Sequence, residues 1–131
     1  MGDVNNNDRL TISKRLQSFK HAFRGIATLF ATQHNAILHL IATITVGVLG
    51  LFLGLSLIEW AIIALTIAAV LAAEAFNTAI EFLGDAVSPD HHPLIGNAKD
   101  VAAGAVLIVA LGALAVGLLV FVPHFLDMFR N

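Results

Sequence analysis

The stretch AAEAFNTAIEFLGDA, residues 72–86, sets two glutamates, an asparagine and an aspartate into one of the most apolar parts of the chain. At about 100° per residue, Glu74, Asn77, Thr78, Glu81 and Asp85 fall on one helix face, within an arc of about 100°. Glu74 and Asp85 are then about 16 Å apart along the axis. The stretch is a polar stripe on a helix. Its surroundings decide whether that helix lies in water or in lipid.

Those surroundings are lipid-like. The chain has 131 residues, 58% of them hydrophobic and only 12% charged, where a soluble domain is about a quarter charged. Mean hydropathy is +0.86. A single integral-membrane domain is expected over residues 9–131, after a polar, disordered lead at 1–8. There is no cysteine, which excludes a disulfide framework or a thiolate metal site. The first ten residues, MGDVNNNDRL, lack the apolar core of a secretory signal.

Three apolar segments are long enough to cross a bilayer core, which takes about 20 residues: Ala36–Leu57, Ile58–Leu83 and Val101–Val122. Glu59 and Trp60 stand at the junction of the first two, where a tryptophan suits the interfacial belt. The polar stretch GDAVSPDHHPLIGNAKD, residues 84–100, separates the second and third, with Pro89 and Pro93 as helix breakers. Ahead of the spans, Ile12, Leu16, Phe19, Phe23, Ile26 and Phe30 recur at helical spacing. Lys14, Arg15, Lys20 and Arg24 fall mainly off that face. This predicts an amphipathic surface helix over about residues 10–31. The expected architecture is all-α: a surface helix plus three transmembrane helices per subunit. Five of the seven Lys and Arg residues precede residue 25, so the N-terminus is expected in the cytoplasm. The 84–100 stretch then lies inside and the C-terminus outside.

A carboxylate at the centre of a membrane helix costs about 2.5–3.5 kcal/mol on insertion scales. The stripe must therefore face protein, water or a ligand. Asn77 or Thr78 alone would most often be interhelical glue. Two glutamates and an aspartate on one face repel one another and suit a cation or a reacting group better. Glu74 and Glu81, two turns apart, can divide the work, one as proton acceptor and one as oxygen ligand for a hard cation such as Mg²⁺. His91 and His92 are adjacent and point apart, as loop histidines do. His39 within the first span reads as a core residue. Gly47, Gly50 and Gly54 share a helix face and read as a packing surface. No GxxxxGK[ST] or GxGxxG motif occurs. Lys99 and Asp100 open the third span, and alone they read as a snorkelling cation and a helix-end charge. A homo-oligomeric channel or proton-coupled transporter using the Glu74/Glu81 stripe is the alternative, and a non-catalytic membrane adaptor is a third.

EAFNTAIEFLGD followed by HPLIGNAKDVAAGAVLI resembles the signature of the prokaryotic diacylglycerol kinase family, which includes undecaprenol kinases. The shared pattern is E-x-x-N-T/S-A-I-E, then D, H-x-L and A-K-D at fixed offsets. SFKHAFRGI is similar to the family's surface helix, so the resemblance covers about residues 18–122. It implies a homotrimeric inner-membrane lipid kinase that uses ATP and Mg²⁺, with no nucleic-acid partner. It further implies Glu74 as the base for the lipid hydroxyl, Glu81 as the metal ligand and Asn77 as an orienting group. Asp85, Asp90, Gly96, Lys99 and Asp100 would surround the nucleotide. Gln33 stands where some members carry a second metal-ligand glutamate; it offers a carbonyl oxygen without charge, and His34 is its neighbour. AKDVAAG, with Ala103 where the diacylglycerol branch often has serine, looks more like the undecaprenol branch. An oligomer is expected because one three-span subunit is too small to cover the stripe.

Overall fold

A computed structural model describes residues 12–88, 90 and 92–130. The polar lead, Arg9, Leu10, Pro89 and His91 lie outside the described residues. Those described form four helices and no strand: α1 (Ile12–Thr32), α2 (His34–Leu53), α3 (Leu57–Val87) and α4 (Pro93–Arg130). The chain divides into two units, Met1–Thr32 and Gln33–Asn131.

The first unit contributes α1. Ile12, Leu16, Phe19, Phe23 and Ile26 are all exposed, an apolar face suited to hydrocarbon. The hydroxyls of Ser18, Thr28 and Thr32 donate back to carbonyls four residues earlier, at 2.9–3.0 Å.

The second unit holds α2, α3 and α4, each long and apolar enough to span a bilayer. Large side chains such as Leu51, Leu107 and Leu119 point outward and are exposed, as expected where lipid is the solvent. α3 packs most extensively on α4 and less on α2. Leu55, Ile63, Val120 and Phe121 form a buried cluster, with Trp60 and Phe125 against it. The cluster draws on the α2–α3 turn and the far end of α4, so the apolar core lies away from the polar stripe.

The junctions between helices differ from the sequence expectation, and capping chemistry explains why. Hydropathy carries the first span to Leu57, but α2 stops at Leu53. Gly54 takes φ 71°, the left-handed conformation, and the Leu55 N–H closes back on the Gly50 carbonyl at 3.1 Å. Ser56 is the N-cap of α3, and Glu59 completes a capping box by accepting from the Ser56 backbone N–H at 2.7 Å. Glu59 and Trp60 thus belong to the first turn of α3 and not to a connection. Gly50 does provide a packing surface, but for the chain's own Trp60. A Cβ on Gly50 would stand 2.8 Å from the Trp60 ring.

The 84–100 stretch is not one loop. α3 runs on to Val87 and α4 begins at Pro93, so most of the stretch is helical. Pro93 starts a helix instead of breaking one, because a first-turn residue needs no intrahelical N–H bond. The Ile95 and Gly96 N–H groups close on the His92 carbonyl at 3.0 Å. Beyond Val122, where the third apolar segment ends, α4 continues helical to Arg130, with Pro123 inside it. The His124 ring Nδ1–H donates to the Val120 carbonyl at 2.9 Å, one residue on from the backbone bond that Pro123 cannot make.

Candidate active site

α3 has 31 residues and α4 has 38, or about 46 and 57 Å of helix, against a hydrocarbon core of about 30 Å. If Trp60 marks one interface, Glu74 lies about 21 Å further along and Glu81 about 31 Å. Glu74 is then within the inner part of the hydrocarbon layer and Glu81 at its edge. The ends of α3 and α4 that carry Asp85 and Lys99 project beyond it.

Burial follows that order. Glu74 is 1% exposed, Asn77 7% and Thr78 4%, whereas Asp85 is exposed. One chain therefore covers the deep part of the stripe, which corrects the expectation that three spans are too few to do so.

The Glu74 carboxylate is buried with no hydrogen-bond partner on either oxygen. Thr78 does not serve it, because its hydroxyl donates to the Glu74 backbone carbonyl at 2.9 Å. Two turns along, Glu81 is held by two amides. Asn77 Nδ2 donates to Oε1 at 2.9 Å and Gln33 Nε2 donates to Oε2 at 3.2 Å. Gln33 occupies the N-cap position of α2, yet its side chain does not cap that helix; it reaches across to α3. It meets Glu81 through its N–H and not through the carbonyl oxygen expected of a metal ligand. His34 opens α2 and is exposed. The Asn77 carbonyl oxygen is buried and unpartnered. One free oxygen thus lies a turn from the amide-held Glu81, and the two free oxygens of Glu74 lie about two turns from it.

Among the described residues, no three His, Asp or Glu side chains converge as a metal cluster. Mg²⁺ does not require one, since it commonly takes one or two protein carboxylates and completes its shell with phosphate and water oxygens. Glu81 and the Asn77 oxygen, one turn apart on α3, are hard donors of that kind, and they fit the ion.

A polar cleft of about 310 Å³ opens where α3 ends and α4 begins. Asp85, Asp90, Gly96 and Lys99 line it together with Ser88 and His92. Lys99 Nζ forms an ion pair with Asp85 Oδ1. Four of the five residues expected around a nucleotide are thereby brought together; Asp100 is exposed and outside the lining. Ser88 was not singled out by the sequence, and His92 had read as a loop histidine apart from its place in the motif. No local pattern marks either, because they are gathered only where the end of α3 and the start of α4 lie side by side. A separate apolar furrow is lined by His39, Val46, Val70, Ala110, Gly117 and Phe121 among others. His39 is therefore half-buried at a groove and not within the core. Val70 lies one turn from Glu74 on the same face of α3.

Comparison with known proteins agrees with the motif. The family model described as prokaryotic diacylglycerol kinase matches residues 20–121. The chain is 42% identical to the undecaprenol kinase of Bacillus subtilis (strain 168) over 115 residues, covering 88% of this chain and 94% of that protein. It is 39% identical to the diacylglycerol kinase of Synechocystis sp. over 114 residues, covering 86% of this chain and 65% of that protein. With most of its length matched by the family model and by both relatives, the chain belongs to the prokaryotic diacylglycerol kinase family of lipid kinases.

Proposed function

We propose that the protein transfers the γ-phosphoryl group of Mg-ATP to the hydroxyl of a membrane lipid alcohol at the cytoplasmic face of the bacterial inner membrane. The observation that carries this is the Glu74 carboxylate, buried and unpartnered on both oxygens. Its lone pairs are free to accept the hydroxyl proton as the lipid oxygen attacks phosphorus, and ADP departs. The apolar furrow one turn from Glu74 gives the lipid tail a place to lie while its head reaches the carboxylate. Asn77 orients Glu81, and Glu81 with the free Asn77 oxygen would hold Mg²⁺. The metal supplies charge neutralisation on the phosphates. Lys99, Asp85, Asp90 and Gly96 would take the nucleotide in the cleft, with Asp100 at its margin. Phosphoryl transfer needs positioning and neutralisation more than covalent help, and a site at the membrane edge lets a lipid and a water-borne nucleotide meet.

The basic N-terminal segment supports a cytoplasmic N-terminus and 84–100 stretch, with the C-terminus outside. A homotrimer remains the proposed assembly on family grounds; a monomer that is fully active in bilayers would overturn it. Undecaprenol is the first substrate to test, because the relative matched over 94% of its length bears that name. The channel or transporter alternative is not favoured by the family match. The deciding experiment offers purified protein Mg-ATP with diacylglycerol, undecaprenol and related lipid alcohols. Label transfer to one lipid, absent without it, is expected. ATP turnover indifferent to lipid would refute the proposal.

A further inference from the structure

Lys99 and Asp85 stand on different helices, and the lysine must cross α3 to reach its partner. It crosses at Gly84. A Cβ on Gly84 would stand 2.8 Å from Lys99 Cε and 3.8 Å from its Nζ, with Ile95 Cγ2 at 3.0 Å. Real side-chain carbons do not approach so closely, so the stem of Lys99 occupies the space that a side chain at 84 would fill. The ammonium lies on the wall of the polar cleft, beside Asp85.

We propose that Gly84 is a positioning residue for the nucleotide: its missing side chain is the passage through which Lys99 holds its ammonium at the cleft. This rests on the cleft being the nucleotide site. A glycine within a long helix otherwise weakens it, since alanine is the better helix former. The obstacle that a methyl group at 84 would meet is chiefly the far end of a flexible lysine, which can swing aside. Ile95 would need to give by only a few tenths of an ångström. Gly84→Ala should therefore displace the Lys99 ammonium without unfolding the helix pair. The charge-assisted contact between Lys99 and the phosphates is lost, and the chemistry at Glu74, about 15 Å along the axis, is not.

The test compares Gly84→Ala, Lys99→Ala and the double variant, each purified at its normal oligomeric state. Apparent KM for Mg-ATP, kcat at saturating lipid and binding of a non-hydrolysable ATP analogue are measured. Gly84→Ala is expected to raise KM and weaken analogue binding about tenfold, the usual worth of a charged hydrogen bond, with kcat within about twofold. Thermal stability should be equal or higher. In the Lys99→Ala background the same substitution should change nothing, because the residue it displaces is gone. An equal loss in both backgrounds would overturn the proposal and assign the effect to packing against Ile95. Lys99→Ala raising KM while Gly84→Ala does not would also overturn it, with the nucleotide cleft intact. No effect of Lys99→Ala would instead sink the cleft assignment. If Gly84→Ala fails to assemble, Gly84→Ala with Ile95→Ala removes the apolar obstacle and leaves only the lysine to displace.

Discussion

Replacing Glu74 by glutamine sets activity and stability against each other. The side chain is 1% exposed, and neither carboxylate oxygen has a hydrogen-bond partner in the chain. A charge held there without a donor costs several kcal/mol, whereas an unsatisfied neutral amide costs about 1–3 kcal/mol. Glu74→Gln keeps the shape and removes the charge, so the variant should be at least as stable as the parent, by a margin of up to about 2 kcal/mol. The amide cannot take up the hydroxyl proton. Turnover should fall about 10²–10⁴-fold, which is about 2.7–5.4 kcal/mol on the barrier. Binding of Mg-ATP should be nearly unchanged, because the cleft lies about 16 Å away at Asp85. The assay is label transfer to lipid with both substrates saturating, alongside thermal unfolding in the same bilayer mimic. Near-normal turnover would refute the catalytic role. Loss of stability and activity together would mark Glu74 as structural glue.

Glu81→Gln should behave differently. It keeps one acceptor for the amides of Asn77 and Gln33 and sets an N–H₂ against the other, so Mg-ATP binding should weaken and recover in part at high Mg²⁺, as a magnesium titration of KM would reveal. Ser56→Ala removes the hydroxyl of the α3 capping box and should lower stability by about 1 kcal/mol with kcat unchanged, measured by thermal unfolding and lipid phosphorylation. Gly50→Ala forces its new methyl against the Trp60 ring, which stands 2.8 Å from the Cβ position; a destabilisation of about 1–3 kcal/mol should appear together with a shift in the emission of the chain's one tryptophan. A cysteine introduced at Asp90 should react with a membrane-impermeant thiol reagent only from the cytoplasmic side, and labelling from outside would reverse the topology.

Several parts of this protein are determined by the sequence alone. The bilayer as solvent follows from long apolar runs with little charge. The shared face of Glu74, Asn77, Thr78, Glu81 and Asp85 follows from the pitch of a helix, which local backbone geometry imposes on any sequence. The amphipathic face of α1 is legible for the same reason. The ends of the helices were less legible, because hydropathy does not change at Leu53 or Leu57. Gly54 stops one helix there, and the reciprocal bonds of Ser56 and Glu59 start the next. The pairing of helices was not legible. Glu81 meets Gln33 across 48 positions of chain and Lys99 meets Asp85 across 14. The passage at Gly84 exists only because those two helices lie side by side. Runs of Ala, Ile, Leu and Val do not encode which turn of one helix faces which turn of another. Register and depth are set by where small residues let backbones approach and where polar side chains find each other, and both depend on the whole bundle at once.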